Sequence, residues 1–172
     1  MATSSFTFAR LVLPVLIAAG SSALAADLPQ TVILVRHAER AGGTGADVGI
    51  SEAGKCRAEA LARMLTDAGV KHIYVSEVVR TQQTAQPLAN KLRIEPEVVS
   101  AKDVDSLVAK VRTGGVALVV GHSNTVPEII KRIGGGTMQP IDDGEYDRMY
   151  IMTLTDPNQA TVVTLHYAGC TQ

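Results

Sequence analysis

Tryptophan is absent from this chain, and aromatic side chains make up only 3% of its 172 residues. Neither sign of charge is in excess, because 16 lysines and arginines face 17 aspartates and glutamates, a formal net charge of −1. No basic run occurs, and no stretch interleaves aromatic with basic residues. Together these absences exclude nucleic acid as the main partner. Any anion must therefore be held by a few placed cations rather than by a charged surface. The scarcity of aromatics and the lack of a long insertion predict a shallow, open site.

Long hydrophobic runs are also lacking, apart from one near the start. Arg10 is followed by the apolar residues 11–19 and then by Gly20-Ser-Ser-Ala23-Leu24-Ala25. The run is well short of the roughly 20 apolar residues that a bilayer span needs. A basic start, an apolar middle and a small-x-small end predict a secretory signal peptide over residues 1–25. The expectations that follow are export to the periplasm or the medium, no membrane span after cleavage, and one domain over residues 26–172. That domain is taken as a monomer by default. Only two cysteines are present, Cys56 and Cys170. An oxidising compartment would permit a disulfide, while the place of Cys56 on the apolar side of a predicted helix also suits a buried free thiol.

The rest of the chain alternates two periodicities. Residues 31–35 and 116–120 are continuously apolar and rich in β-branched side chains, the pattern of strands covered on both faces. Residues 72–75 form a third such run and 97–99 a weaker fourth. Residues 149–154 and 160–165 flank Asp156-Pro157-Asn158 and predict a terminal hairpin. Four helices fill the gaps. Ser51 caps the first, which Gly69 ends, and Thr84 is the expected cap of the second, with Pro87 in its first turn. Asp103 caps the third. Thr125-Val-Pro-Glu128 reads as a capping box that opens the fourth, which Gly134 closes. With no internal repeat or linker, this order predicts a single α/β domain. Its architecture is a three-layer α/β/α sandwich with a central, mainly parallel sheet and helices on both faces.

Polar residues follow three of the strands. Arg36-His37-Ala38-Glu39-Arg40 follows the first, the segment from Ser76 through Arg80 to Ala85 follows 72–75, and Gly121-His122-Ser123-Asn124-Thr125 follows 116–120. In a parallel sheet these segments emerge along the carboxyl edge, where ligands of open α/β sheets bind. Two histidines and two arginines would converge there and repel one another until an anion relieves them. Guanidinium groups match phosphate with paired hydrogen bonds, and a helix start at Thr125 adds backbone N–H donors. A neutral imidazole among such groups can attack phosphorus and carry the phosphoryl group.

Taken together, these motifs resemble the histidine phosphatase superfamily, also called phosphoglycerate-mutase-like. Arg36-His37-Ala38-Glu39 is similar to its RHG signature, residues 76–85 to its S-x-x-x-R-x-x-x-T-A block, and Gly121-His122 to its second-histidine motif. The resemblance implies a phosphoglycerate-mutase-like fold and a phosphomonoester hydrolase that works through a phosphohistidine intermediate. His37 would be the nucleophile, with Arg36, Arg80 and His122 on the phosphoryl oxygens and Ser123 beside them. It implies no metal and no cofactor. Ala38 stands where the family has glycine, and the family's usual proton donor has no counterpart. Candidate acids are Glu39, Glu77, Glu145 and the Asp103/Asp105 pair. Of these, Glu39 is nearest to His37 in sequence but equally suits an arginine partner, Asp103 suits a helix cap, and Glu145 suits a solvated loop. His72 and His166 read as structural. The expected ligand is a small or exposed phosphorylated molecule, or phosphate itself, outside the cytoplasm. The alternatives are a phosphate- or sugar-phosphate-binding protein without turnover, a metal site built on His37 and His122, and a phosphomutase.

Overall fold

The computed structural model describes residues 30–112, 114–156 and 159–169. The expected signal peptide, residues 1–25, lies outside them. A six-stranded sheet runs in the order β3-β2-β4-β1-β5-β6, built from β1 (Gln30–Arg36), β2 (Val70–Val75), β3 (Glu97–Val98), β4 (Val116–Gly121), β5 (Arg148–Asp156) and β6 (Gln159–His166). The first four strands are mutually parallel, and β5 and β6 form an antiparallel hairpin joined to β1. Among the described residues, no helix is long and apolar enough to cross a membrane.

Successive strand residues point to opposite faces, and this sorts the apolar runs into two layers. Val32 and Leu34 of β1 pack with Ala117, Val119, Tyr150 and Met152 against the two helices of one layer. Those helices are α3 (Val104–Lys110) and α4 (Thr125–Ile133). Ile33 and Val35 join Ile73, Val75, Leu118 and Val120 on the other face, beneath α1 (Glu52–Leu65) and α2 (Val79–Leu92). Burying one such aliphatic side chain is worth about 1.5–3 kcal/mol, so each layer holds its helices firmly against the sheet. This is the expected three-layer arrangement.

Several local expectations need correction. Helix α2 starts at Val79, not at Thr84, and Pro87 lies within it rather than in its first turn. The Thr84 hydroxyl does not cap anything. It donates to the Arg80 carbonyl one turn back and accepts from the Ala38 N–H at 2.9 Å. Nor does Thr125 cap α4, whose cap is Asn124 without a side-chain bond. Its hydroxyl instead accepts from the His122 N–H at 2.9 Å. Ser51 and Asp103 do cap α1 and α3, accepting from Gly54 and Ser106. Cys56 is half-buried and disulfide-bonded, not a free buried thiol. The chain's other cysteine, Cys170, lies outside the described residues.

Gly54 explains how α1 sits so close to the residues that follow His37. A Cβ there would meet the Glu39 carbonyl oxygen at 2.4 Å and Ile50 Cβ at 2.9 Å. Alanine is the better helix former by about 1 kcal/mol, whereas overpacking against a backbone costs about 1–3 kcal/mol. Gly54→Ala should therefore lower the urea midpoint with an unchanged m-value. A raised midpoint would contradict this packing.

Candidate active site

The registers bring the motif-bearing strand ends into line. Val35 and Val75 both pair with Val120, Arg36 pairs with Gly121, and the His37 N–H donates to the Gly121 carbonyl at 2.9 Å. An open cavity of about 510 Å³ lies at this edge, lined by Arg36, His37, Arg40, Arg80, His122, Ser123, Asn124, Asp143 and Tyr146. The structure thus gathers Arg36, His37, Arg80, His122 and Ser123 around one volume. Gly121 makes the turn possible, since a Cβ there would lie 2.9 Å from the Thr125 hydroxyl and 3.0 Å from Val126 Cγ2.

His37 is 6% exposed, and its Nδ1 lies 2.8 Å from the Ala38 carbonyl oxygen. A carbonyl can only accept, so Nδ1 carries the hydrogen and Nε2 keeps its lone pair. Burial pushes the imidazole down from its ordinary value of 6.5 to about 4, and the charges of Arg36, His122 and Arg80 push the same way against the Ala38 bond. At neutral pH the ring is therefore an uncharged base. Its ring centre stands 5.4 Å from that of His122 in an edge-on arrangement. Burial, then Arg80, lowers His122 as well. His122 Nε2 is 3.0 Å from the Ser76 hydroxyl, which meets Thr81 Oγ1 at 3.0 Å. The 76–81 turn therefore orients the second imidazole.

Both arginines are tethered by one amino group. Arg36 Nη1 donates to the carbonyls of Asp142, Asp143 and Glu145, and Arg80 Nη1 donates to those of Gly45 and Val48. In each, Nε is buried without a hydrogen-bond partner. Burial and then the nearby Arg40 lower Arg80. The two guanidiniums line the cavity beside two neutral imidazoles, a set of donors suited to a tetrahedral oxyanion. Ala38, fully buried, packs its methyl group with Ile50 and Ala58, so the departure from glycine is accommodated.

None of the proposed acids lines the cavity. Glu39 Oε1 takes both Nε and Nη2 of Arg57, at 2.8 and 2.6 Å, which is the arginine-partner reading of that residue. Glu77 accepts from the Ala101 N–H, which holds its carboxyl below the usual range. Glu145 lies in the loop before β5 as expected, partly exposed, with its carboxylate on Arg148 and the Asp142 N–H. Asp103 caps α3, and Asp105 pairs with Arg132. Among the described residues, no three His, Cys, Asp or Glu side chains cluster as metal ligands. His72 stacks on Tyr74, and His166 pairs with Asp147.

Sequence reasoning placed Arg40 and Asn124 at the sheet edge without naming them as site residues, and it missed Asp143 and Tyr146 altogether. The missing signal is topological. Because β5 runs antiparallel beside β1, with Val35 opposite Met149, the residues that lead into β5 arrive at the same edge. Tyr146 lies under the Arg36 guanidinium, whose Cζ is 4.4 Å from the ring centre.

A mainly parallel α/β sheet carries an uncharged buried imidazole and two tethered guanidiniums at its carboxyl edge, an arrangement suited to binding an oxyanion. A family model described as the histidine phosphatase superfamily (branch 1) matches residues 32–103. Among solved structures, the protein histidine phosphatase SixA complexed with tungstate superposes with a TM-score of 0.66 at 16% identity, covering 79% of this chain and 96% of its own. The α-ribazole phosphatase from Shigella flexneri gives a TM-score of 0.64 at 15% identity, covering 83% of this chain and 99% of its own. A mycobacterial glucosyl-3-phosphoglycerate phosphatase gives 0.62 at 13% identity, covering 82% and 100%. No curated protein sequence matches significantly. Residues 32–103 thus carry the likeness to the histidine phosphatase superfamily, and the chain as a whole shares the fold of these solved phosphatases.

Two outcomes follow from this geometry. With His37 neutral down to about pH 4, the acidic limb of kcat/KM should fall near 4, not 6.5, once the substrate's own phosphate ionisation is subtracted. A limb at 6.5 would contradict the burial argument. Arg80→Lys should cost about 10²-fold or more in kcat/KM, because a point charge replaces a planar fork that is tethered to the 45–48 loop. A loss below threefold would remove Arg80 from the cradle.

Proposed function

We propose that the protein hydrolyses phosphomonoesters in two steps through phospho-His37. In the first, His37 Nε2 attacks phosphorus while its Nδ1–H stays on the Ala38 carbonyl, and the bond to the leaving oxygen breaks. Arg36, Arg80 and His122 hold the phosphoryl oxygens, with Ser123 at their side. In the second, water attacks phosphorus and the P–N bond returns its electrons to Nε2. The observation that carries this reading is the tautomer of His37: a buried imidazole, uncharged among cations, with its one hydrogen spent on a carbonyl. The open cavity favours hydrolysis over mutase chemistry, which needs water kept from the phosphoenzyme. The start of the sequence supports a substrate outside the cytoplasm, a small phosphate ester or an exposed phosphorylated group on a larger molecule.

Phosphate-labelled substrate, quenched within the first turnover at neutral or alkaline pH, should leave acid-labile label on His37. His37→Ala should carry none and keep under about 1% of kcat, and EDTA should not reduce wild-type turnover. Label elsewhere would overturn the nucleophile assignment. Activity abolished by EDTA would point to a metal, and tight phosphate binding without turnover to a binding protein.

A further inference from the structure

The first step leaves a charge to be dealt with. When the leaving group is an alkoxide, expulsion needs a proton, and general acid catalysis of that kind is worth about 10²–10⁴-fold. Every carboxylate put forward from the sequence is committed outside the cavity. Asp143, the one carboxylate among the described lining residues, has a fully exposed side chain that faces Arg36 at 3.6 Å.

Tyr146 is different. It lines the same cavity and is half-buried, and its ring centre is 6.1 Å from that of His37. Near-attack geometry puts the nucleophile about 3 Å from phosphorus, and a hydrogen bond to the leaving oxygen spans about 2.8 Å. Tyr146 thus stands beside the nucleophile on the wall of the cavity that a phosphoryl group would enter. Arg36 lies over the Tyr146 ring, and Tyr146 is close enough to act electrostatically on Arg80. Tyr146 therefore stands beside two cations. Three carbonyls of the 142–145 segment hold Arg36, so the residue that follows them is fixed beside the site.

We propose that Tyr146 is the general acid, giving its phenolic proton to the leaving oxygen as His37 Nε2 attacks phosphorus. This rests on the reading of His37 as nucleophile. In the first step the P–O electron pair goes to the leaving oxygen, which takes the Tyr146 proton and departs as an alcohol. In the second, the phenolate takes a proton from the attacking water, the P–N bond breaks toward Nε2, and phosphate leaves with Tyr146 a phenol again. The substrate class is thereby extended to esters of poorly acidic alcohols, such as sugar and glycerol phosphates.

The test is Tyr146→Phe, which keeps the ring under Arg36 and removes only the hydroxyl, assayed against p-nitrophenyl phosphate and a series of alkyl phosphates. An acid matters only when the leaving group needs a proton. The variant should lose about 10²-fold in kcat/KM on alkyl phosphates and less than threefold on p-nitrophenyl phosphate. A similar loss on both, no loss on alkyl esters, or a wild type inert toward every alkyl ester would overturn the assignment. First-turnover labelling of both proteins separates the two claims. Wild type without label on His37 fails the nucleophile reading, whereas label in both with parallel losses fails only Tyr146.

Discussion

The main chain of Ala38 is the point on which the site turns. Its carbonyl takes the His37 Nδ1–H, and its N–H is held by Thr84 of α2. Rotating that peptide would release the imidazole and free either nitrogen for protonation. Burial alone would make His37 a weak base, and the carbonyl decides which nitrogen stays bare. The nearby positive charge then acts in the same direction, so the nucleophile is uncharged where charge is most concentrated.

The scaffold supplies this by register more than by special loops. Three parallel strands end level, so Thr84 and His122, 47 and 85 positions beyond His37 in the sequence, meet near it. The hairpin strand β5 returns antiparallel and delivers the carbonyls that fix Arg36. Each guanidinium is held by its Nη1 and lines the cavity. A donor fixed before the anion arrives loses little freedom on binding, which is the physical content of preorganisation.

Much of this was legible in the sequence, for identifiable reasons. The apolar runs of β1, β2 and β4 give both their burial and their parallel order, and the polar residues after them mark the edge. The hairpin could be read, but its place beside β1 could not, because strand order across an antiparallel joint leaves no local pattern. Tyr146 and the carbonyl clamp on Arg36 were hidden for that reason. Hydroxyl groups misled in another way: Thr84 and Thr125 look like helix caps, yet each is drawn into a bond with the residues around a histidine. Glu39 was ambiguous because its partner, Arg57, lies on α1, and nothing local pairs them.

The most direct test is a crystal structure with vanadate, which takes the geometry of a transferring phosphoryl group. Vanadium should be bonded to His37 Nε2, with the Arg36 and Arg80 guanidiniums and His122 within hydrogen-bond distance of its equatorial oxygens. Vanadate bound away from His37, or held in the cavity with neither guanidinium in contact, would contradict the account.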